Sequence, residues 1–328
     1  MKSKKLICGI DVSKDTLDVA YNDGDKIRHF KTKNDDKSHL EIVQKLGRKR
    51  TYVMEYTGLY YLKLAFNIHS EHADVRVENP LVVKRFIQMN AERRKTDKSD
   101  AEWLYKYALE REPKQWIKPS KLLLYAKASM SSLELYKRIN TMLKNYLKML
   151  ELYPYLSPVV QQSISKMQAE TDAEIKGLEI ELQLLTDKMY PGLGERLLTI
   201  PGFGKKIVFR LLIITNGFQE IKNYRQLISY AGLSVKEVSS GTSLVTRNRI
   251  CKGGNKDLRN NLYMCAMHAI RRNKACIEQY KRLKAAGKNG KAAVIAVCCK
   301  LLKQAFAIAT QGTVYDPEHK SQLTIVNP

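Results

Sequence analysis

Across Pro119 the spacing of apolar residues changes from short runs to long helical stripes, and that change divides what the chain can fold into. Before it, Leu6-Ile-Cys-Gly-Ile10, Leu17-Asp-Val-Ala-Tyr21 and Ile27-Arg-His-Phe-Lys31 are short β-branched or aromatic runs, split by the turn formers Ser13-Lys-Asp15 and Asn22-Asp-Gly-Asp25. They predict a three-strand meander. A helix follows over residues 38–46, then a strand at Tyr52-Val-Met-Glu-Tyr56, a helix over 59–69 and a strand at Val75-Arg-Val77. Pro80 opens another helix at its first position, where the missing N–H costs nothing. One more helix spans 97–111 and stops before Pro113. Strands alternating with helices imply an α/β layer fold in which helices cover a sheet.

After Pro119, Tyr136, Ile139, Leu143, Tyr146 and Leu150 step by three and four, as do Ile164, Met167, Thr171, Ile175, Leu178, Leu182, Leu185 and Met189. Pro154 and Pro158 separate the two stripes. They predict two long helices, paired either as an antiparallel hairpin within the chain or as a coiled coil between chains. From Pro191 the sequence reads as helical to about Ile308, and residues 311–328 show little periodicity and read as a tail. The expected division is 1–118, 119–190, 191–310 and a tail over 311–328, with no internal repeat and no low-complexity tract.

Charge narrows the partners. Lysine and arginine number 57 against 33 aspartates and glutamates, a formal charge of +24. A field of that size favours polyanions, because each phosphate neutralised releases condensed counterions. The six cysteines, Cys8, Cys251, Cys265, Cys276, Cys298 and Cys299, form no Cys-x-x-Cys pair and have no histidine at zinc spacing, as expected of a protein in a reducing cytoplasm. The apolar run 292–299 falls well short of the ~20 residues a bilayer demands, so no membrane is expected.

Two acids terminate apolar strands: Asp11 in Gly9-Ile-Asp-Val-Ser-Lys14 and Glu55 in Met54-Glu-Tyr-Thr-Gly58. Residues at the ends of neighbouring strands face one crevice, so acids far apart in sequence can meet there. Asp97 and Asp100, in Lys95-Thr-Asp-Lys-Ser-Asp-Ala101, share a helix face at i and i+3. Taken singly, Asp97 reads equally as a helix cap and Asp100 as a solvated helix acid. Together the four are candidate ligands for Mg²⁺ or Mn²⁺, since clustered carboxylates repel unless a hard cation sits among them. Two such ions, ~3.5–4 Å apart, clamp the attacking and leaving oxygens of a phosphoryl transfer.

Downstream, Leu198-Thr-Ile-Pro-Gly-Phe-Gly-Lys205 reads as a helix-opening turn with backbone amides and the charges of Lys205 and Lys206, suited to a phosphate, or as a plain interhelical turn. Further on come Tyr230-Ala-Gly-Leu233, Ser239-Ser-Gly-Thr-Ser243 and Cys251-Lys-Gly-Gly-Asn255. By composition the serine segment is a flexible loop. Arg247, Arg249, Lys252, Lys256 and Arg259 surround it and are candidate nucleic-acid contacts.

The ordered combination of strand aspartate, strand glutamate, Asp-x-x-Asp helix and downstream Ser-Gly resembles the DEDD transposases of bacterial insertion sequences, the insertion-sequence-110 group with its Piv-type invertase relatives. The resemblance spans residues 5 to 305. It implies a ribonuclease-H-like, RuvC-like N-terminal domain, a coiled-coil connector of long helices and a mainly α C-terminal transposase domain. It carries Asp11, Glu55, Asp97 and Asp100 over as metal ligands and Ser240 as a nucleophile that forms a covalent phosphoserine with DNA. Ser239 and Ser243 flank Ser240, and Val235 stands where the family commonly has proline. The resemblance further implies donor and target DNA as substrates and a bridge RNA as guide, in a nucleoid-associated cytoplasmic protein.

About 140 residues separate Asp100 from Ser240, and a serine hydroxyl needs a base or a metal to activate it. The expectation is a homo-oligomer, dimer or tetramer, that completes its site between protomers. The rival readings are a RuvC-like junction-resolving endonuclease with no covalent step, an actin-like ATPase suggested by Gly9-Ile-Asp-Val-Ser13, and a non-catalytic RNA-binding protein.

Overall fold

In the computed structural model the sheet-forming and helical parts of the chain are separate compact units, Met1–Pro119 and Ser120–Pro328. The structure describes residues 5–56, 58–90, 97–236, 239–240, 244–245 and 249–319, with the backbone alone described at 97, 98, 236, 239, 240, 244 and 245.

The first unit runs β1 (Ile7–Val12), β2 (Thr16–Asp23), β3 (Lys26–Lys33), α1 (Asp36–Leu46), β4 (Thr51–Glu55), α2 (Tyr60–Ser70), β5 (Asp74–Glu78), α3 (Pro80–Met89) and α4 (Asp97–Arg111). The sheet order is β3-β2-β1-β4-β5. The first three strands pair antiparallel as the meander requires, and β4 and β5 add to β1 in parallel. A two-residue loop joins β2 to β3, with Gly24 at φ +61°, the left-handed conformation that tight hairpins need. The mixed, helix-covered sheet is the α/β layer expected, and it is compatible with a ribonuclease-H-like arrangement.

Alternation sorts the side chains of each strand to two faces. Cys8, Ile10, Val12, Leu17, Val19, Tyr52 and Met54 point to one side, where Ile42 and Val43 of α1 and Leu64 and Ile68 of α2 complete the core. Ile7 and Val53 point to the other and meet Tyr105 and Ala108 of α4. Phe86 of α3 holds α4 from behind, its ring centroid 6.0 Å from Trp103 and 5.3 Å from Tyr107. The helix starts are locally encoded. Asp35 accepts the Ser38 amide at 2.8 Å, and Asn79 accepts the Leu81 amide at 2.9 Å with Pro80 in the first helical position.

The second unit opens with α5 (Lys121–Leu150) and α6 (Pro158–Met189). They pack antiparallel within one chain: Ser129 donates to Glu181 at 2.8 Å, Lys137 to Glu179 at 2.5 Å, and Asn140 donates to Asp172. The remaining helices are α7 (Leu193–Leu198), α8 (Lys205–Ile214), α9 (Tyr224–Tyr230), α10 (Lys256–Arg272), α11 (Lys274–Ala285) and α12 (Gly290–Gln311). Leu123, Ala126, Met130 and Leu133 of α5 and Leu182 of α6 pack on Phe209 and Ile213 of α8. Beside them buried Arg210 of α8 ion-pairs with Glu134 of α5, and its other nitrogen lies 3.9 Å from Asp257 of α10.

Helix α12 is long and apolar enough, by length and composition, to cross a bilayer. It is here a core helix, with Val294, Val297, Cys298, Leu301, Leu302 and Ala305 buried against α7, α9, α10 and α11. The run over 292–299 looked too short because Lys300 ends it, yet the helix continues on the same apolar face beyond that lysine.

Two features depart from the sequence reading. Between α9 and α10 the chain is neither helix nor plain loop: β6 (Val235–Lys236) pairs antiparallel with β9 (Arg249–Ile250), and β7 (Ser239–Ser240) with β8 (Leu244–Val245). The β-branched residues Val235, Val245 and Ile250 favour this. After α12, the expected tail is anchored in its first part. The Tyr315 amide donates to Thr199 Oγ1 at 2.8 Å, its hydroxyl to Asn273 Oδ1 at 3.1 Å, and Lys274 reaches Glu318 at 2.7 Å.

Candidate active site

Strand register determines which acids meet. Asp11 pairs with Asp18 across β1 and β2, and Glu55 with Glu78 across β4 and β5. Ile10 pairs with Met54, so continuing that parallel register by one residue sets Asp11 beside Glu55. Laterally paired residues share a face, and neighbouring strands lie about 4.8 Å apart. Asp18, Asp11, Glu55 and Glu78 thus form a row across four strands, at the C-terminal ends of the parallel ones. Their neighbours in sequence, Leu17, Val19, Ile10, Val12 and Met54, turn into the α1/α2 core. The acids therefore line the face that α4 covers.

The outer members of the row have their own partners. Lys31 lies 2.9 Å from Asp18. Glu78 Oε2 accepts the Tyr107 hydroxyl at 2.8 Å, and Oε1 accepts the Asn79 amide at 2.8 Å. Burial, then the hydrogen bond to Glu78 and its negative charge, pushes the Tyr107 hydroxyl up to about 12, so it stays a donor. The central pair, Asp11 and Glu55, is half-buried. Asp18 and Glu78 join the row through strand order and lateral register, which the sequence alone does not show.

Gly9 seats α4. A Cβ there would lie 2.3 Å from the Ala101 carbonyl oxygen and 2.5 Å from the Tyr105 amide nitrogen. Ala108 meets Ile7, and Ala101 meets Gly9, so α4 runs back along β1 and its N-terminal turn lies towards Asp11. Asp97, Ala101, Leu104 and Ala108 recur at helical spacing on that face, and Asp100 is half-buried beside it. The Asp97 side chain lies outside the described residues. Among the described residues no three histidine, cysteine, aspartate or glutamate side chains gather to hold a metal ion.

In the second unit Ser240 stands in β7, paired with Leu244. The side chains of Ser239 and Ser240, and all of Ser243 and Arg247, lie outside the described residues. The arm leaves and re-enters the helical body through a narrow root. There the Cys251 amide donates to Ser234 at 2.8 Å, the Lys252 amide to Gly232 at 3.1 Å and the Asn255 amide to Tyr230 at 2.8 Å. Cys251 is exposed at this root. Other thiols of the unit are pushed up by burial, Cys265 and Cys299 to about 11 and Cys276 to about 12.

The Ile200-Pro-Gly-Phe-Gly204 turn opens onto a cleft of about 480 Å³ whose lining includes Gly204, Lys206, Asn261, His268 and Arg272. Gly202, at φ +108°, lets the turn approach α10, since a Cβ would lie 2.8 Å from the Cys265 carbonyl oxygen. Gly204 caps α8 without a side-chain acceptor, which leaves the first-turn amides to other partners. Lys205, Lys206, Arg249, Lys252 and Lys256 are exposed, whereas Arg259 is half-buried.

Residues 8–131 match the DEDD family model of the IS110-type transposases, and residues 194–282 match the transposase IS116/IS110/IS902 family. The chain is similar to a pilin gene-inverting protein of Moraxella lacunata, 28% identical over 322 residues that cover 95% of this chain and 98% of the other. Its counterpart in Moraxella bovis shows the same identity and coverage. An uncharacterized 43.6 kDa protein of insertion element IS110 in Streptomyces coelicolor is 26% identical over 158 residues, 48% of this chain and 38% of that one. Among solved structures, T. thermophilus RuvC in complex with Holliday junction substrate aligns at a TM-score of 0.26 with 14% identity. That alignment covers 34% of this chain and all of that one.

Proposed function

The chain belongs to the IS116/IS110/IS902 family of transposases, enzymes of DNA transposition and recombination, and from that premise we propose that it cuts and rejoins DNA with a carboxylate site on its sheet and a serine nucleophile on its β arm. The observation that carries this reading is the placement of Asp11 beside Glu55, at the ends of adjacent parallel strands and on the face that α4 covers.

Two neighbouring carboxylates with a helix N-terminus carrying Asp97 and Asp100 offer the all-oxygen donor set that Mg²⁺ or Mn²⁺ takes. Asp11, Glu55, Asp97 and Asp100 would hold the ion, which supplies positive charge to a phosphate undergoing substitution. Asp18 stays with Lys31 and Glu78 with Tyr107, so these flanking acids shape the site without belonging to the ligand set. The polypeptide's part is to keep the acids at fixed spacing and to bring the hydroxyl of Ser240 to the phosphorus.

In the proposed exchange Ser240 Oγ forms a bond to phosphorus, a P–O bond of the strand breaks, and a deoxyribose hydroxyl leaves carrying the proton that the serine gave up. The phosphoserine ester keeps the bond energy for the reverse attack by a new strand end, so joining needs no nucleotide cofactor. Exposed Lys205, Lys206, Arg249, Lys252 and Lys256 would hold the DNA backbone, as would Arg247. The reading includes a homo-oligomer in which one protomer's carboxylates serve another's serine, Asp100 and Ser240 being about 140 residues apart in the chain.

A bridge RNA completes the proposal. It is supported by a charge of +24 and by the absence from the sequence of a zinc-finger or homeodomain signature that would read bases directly. Delegating recognition to base pairing leaves the protein to grip backbones, for which positive charge suffices.

The test is to trap the protein–DNA adduct after denaturation. Ser240→Ala is expected to abolish the adduct and strand exchange, and Asp11→Asn to abolish cleavage altogether. Full cleavage without an adduct in both the wild type and Ser240→Ala would instead mark a junction-resolving nuclease. Mixing Asp11→Ala with Ser240→Ala subunits restores activity if the site is shared between protomers. Sequencing the nucleic acid that co-purifies identifies the guide.

A further inference from the structure

We propose that Arg259 is the positioning residue of the serine arm: its guanidinium ties together the outgoing and returning chain at the root, and so sets the direction in which Ser240 is presented. The inference rests on the reading of Ser240 as nucleophile. It removes Arg259 from the phosphate contacts to which its charge and its place in the sequence had assigned it.

The root is a crossing of two backbones. Outgoing residues 230–234 and returning residues 251–255 exchange three main-chain hydrogen bonds, and two glycines make the crossing possible. At Gly232, φ +67°, a Cβ would lie 2.6 Å from Arg259 Nη1 and 3.1 Å from the Lys252 carbonyl carbon. At Gly254, φ +146°, it would lie 2.4 Å from the Tyr230 carbonyl oxygen and 2.8 Å from the Gly232 nitrogen. Between them Lys252 holds φ +56°, a left-handed conformation that a residue with a side chain keeps only when its surroundings enforce it.

Arg259 supplies that enforcement. It sits in the first turn of α10, which Asn255 caps by accepting the Leu258 amide at 2.8 Å and which fully buried Leu258 anchors in the core. From there Nη1 donates to the Ala231 carbonyl on the outgoing segment at 3.0 Å and to the Lys252 carbonyl on the returning one at 3.4 Å. One nitrogen of a rigid, permanently charged group thereby spans the crossing. A lysine, with a compact charge on a flexible stem, would not hold both carbonyls in one geometry. Arg249, Lys252 and Lys256 nearby are exposed, whereas Arg259 is half-buried. That contrast separates a clasp from a phosphate contact.

The two roles separate experimentally. The full-length protein is assayed with a labelled duplex carrying one end of the element that encodes it, together with RNA transcribed from that element. Arg259→Ala and Arg259→Lys are compared with Lys256→Ala for affinity, for the slope of affinity against salt, and for the rate of adduct formation at saturating DNA. Hydrogen exchange at the 251, 252 and 255 amides is followed in the same proteins without DNA. For a clasp, Arg259→Ala binds within about twofold of wild type with the same salt slope, forms adduct roughly 10²-fold more slowly, and exchanges its root amides faster; Arg259→Lys shares this pattern. Lys256→Ala shows the reverse, weaker binding with a salt slope lower by about 1.

Arg259→Lys carries the test if Arg259→Ala does not fold. Weakened binding and a lowered salt slope with an unchanged adduct rate in the arginine variants overturn the inference. Unchanged root exchange overturns it as well, whatever the fate of Ser240. If Ser240→Ala still forms the adduct, the nucleophile reading fails separately, and root exchange alone then judges the clasp.

Discussion

Replacing Gly9 by alanine adds one methyl group where α4 touches β1. The new carbon would stand 2.3 Å from the Ala101 carbonyl oxygen and 2.5 Å from the Tyr105 amide nitrogen, where ordinary contact begins at 3.4 Å. Both obstacles are main-chain atoms of a helix, so no side chain can rotate away, and α4 has to withdraw by about 1 Å. Overpacking of this kind costs roughly 1–3 kcal/mol, within what a folded domain tolerates. The consequence for chemistry is larger. In the proposed metal site α4 would bring Asp97 and Asp100 to Asp11 and Glu55, and a misplacement of about 1 Å lowers a rate by roughly 10²-fold. The assay is metal-dependent DNA cleavage by purified Gly9→Ala, well below its own unfolding midpoint. Gly24→Ala serves as control: φ there is +61° with nothing within 4 Å of a new Cβ, so it strains a turn by about 1 kcal/mol without touching α4. A folded Gly9→Ala protein that cleaves within about twofold of wild type would refute the claim that the seat of α4 on β1 sets the spacing of the acids.

Tyr107→Phe removes the hydroxyl that holds Glu78 while keeping the ring against Phe86; a loss of about 1.5 kcal/mol is expected in denaturant unfolding, with cleavage reduced as α4 loosens. Arg210→Ala leaves Glu134 without its buried partner and is expected to cost roughly 3 kcal/mol, whereas Arg210→Met combined with Glu134→Leu recovers most of it, both read from unfolding midpoints. Burial lowers the His39 pKa from 6.5 against the opposing pull of Asp36 and Asp35. The unfolded chain then takes up a proton first as pH falls through about 6.5, so stability is full at neutral pH and declines below that value. His39→Gln, which cannot titrate, should flatten that decline in thermal melts.

Much of the first unit was legible because its signals are local. The runs beginning at Leu6, Leu17 and Ile27 have strand length and turn-forming ends, and Pro80 announces a helix start. Asp11 and Glu55 stood out because each closes an apolar run. Asp18 and Glu78 did not, because their place in the row depends on the order β3-β2-β1-β4-β5 and its lateral register, which no stretch of sequence contains. By sequence the serine arm reads as a loop because its strands are two residues each, too short for alternation to register. Arg259 looked like one more basic residue in a basic stretch. Its two carbonyl contacts exist only because Gly232 and Gly254 allow distant backbone segments to cross.

The distribution of sulfur in the second unit has a practical use. Thiolates, not thiols, react with electrophiles, and burial keeps Cys265, Cys276 and Cys299 protonated far above neutral pH, while Cys251 is open to solvent. A maleimide dye added to the unmodified protein should therefore choose the root of the arm by itself. It would place a fluorescent reporter at the crossing that leads to Ser240 without any engineered cysteine.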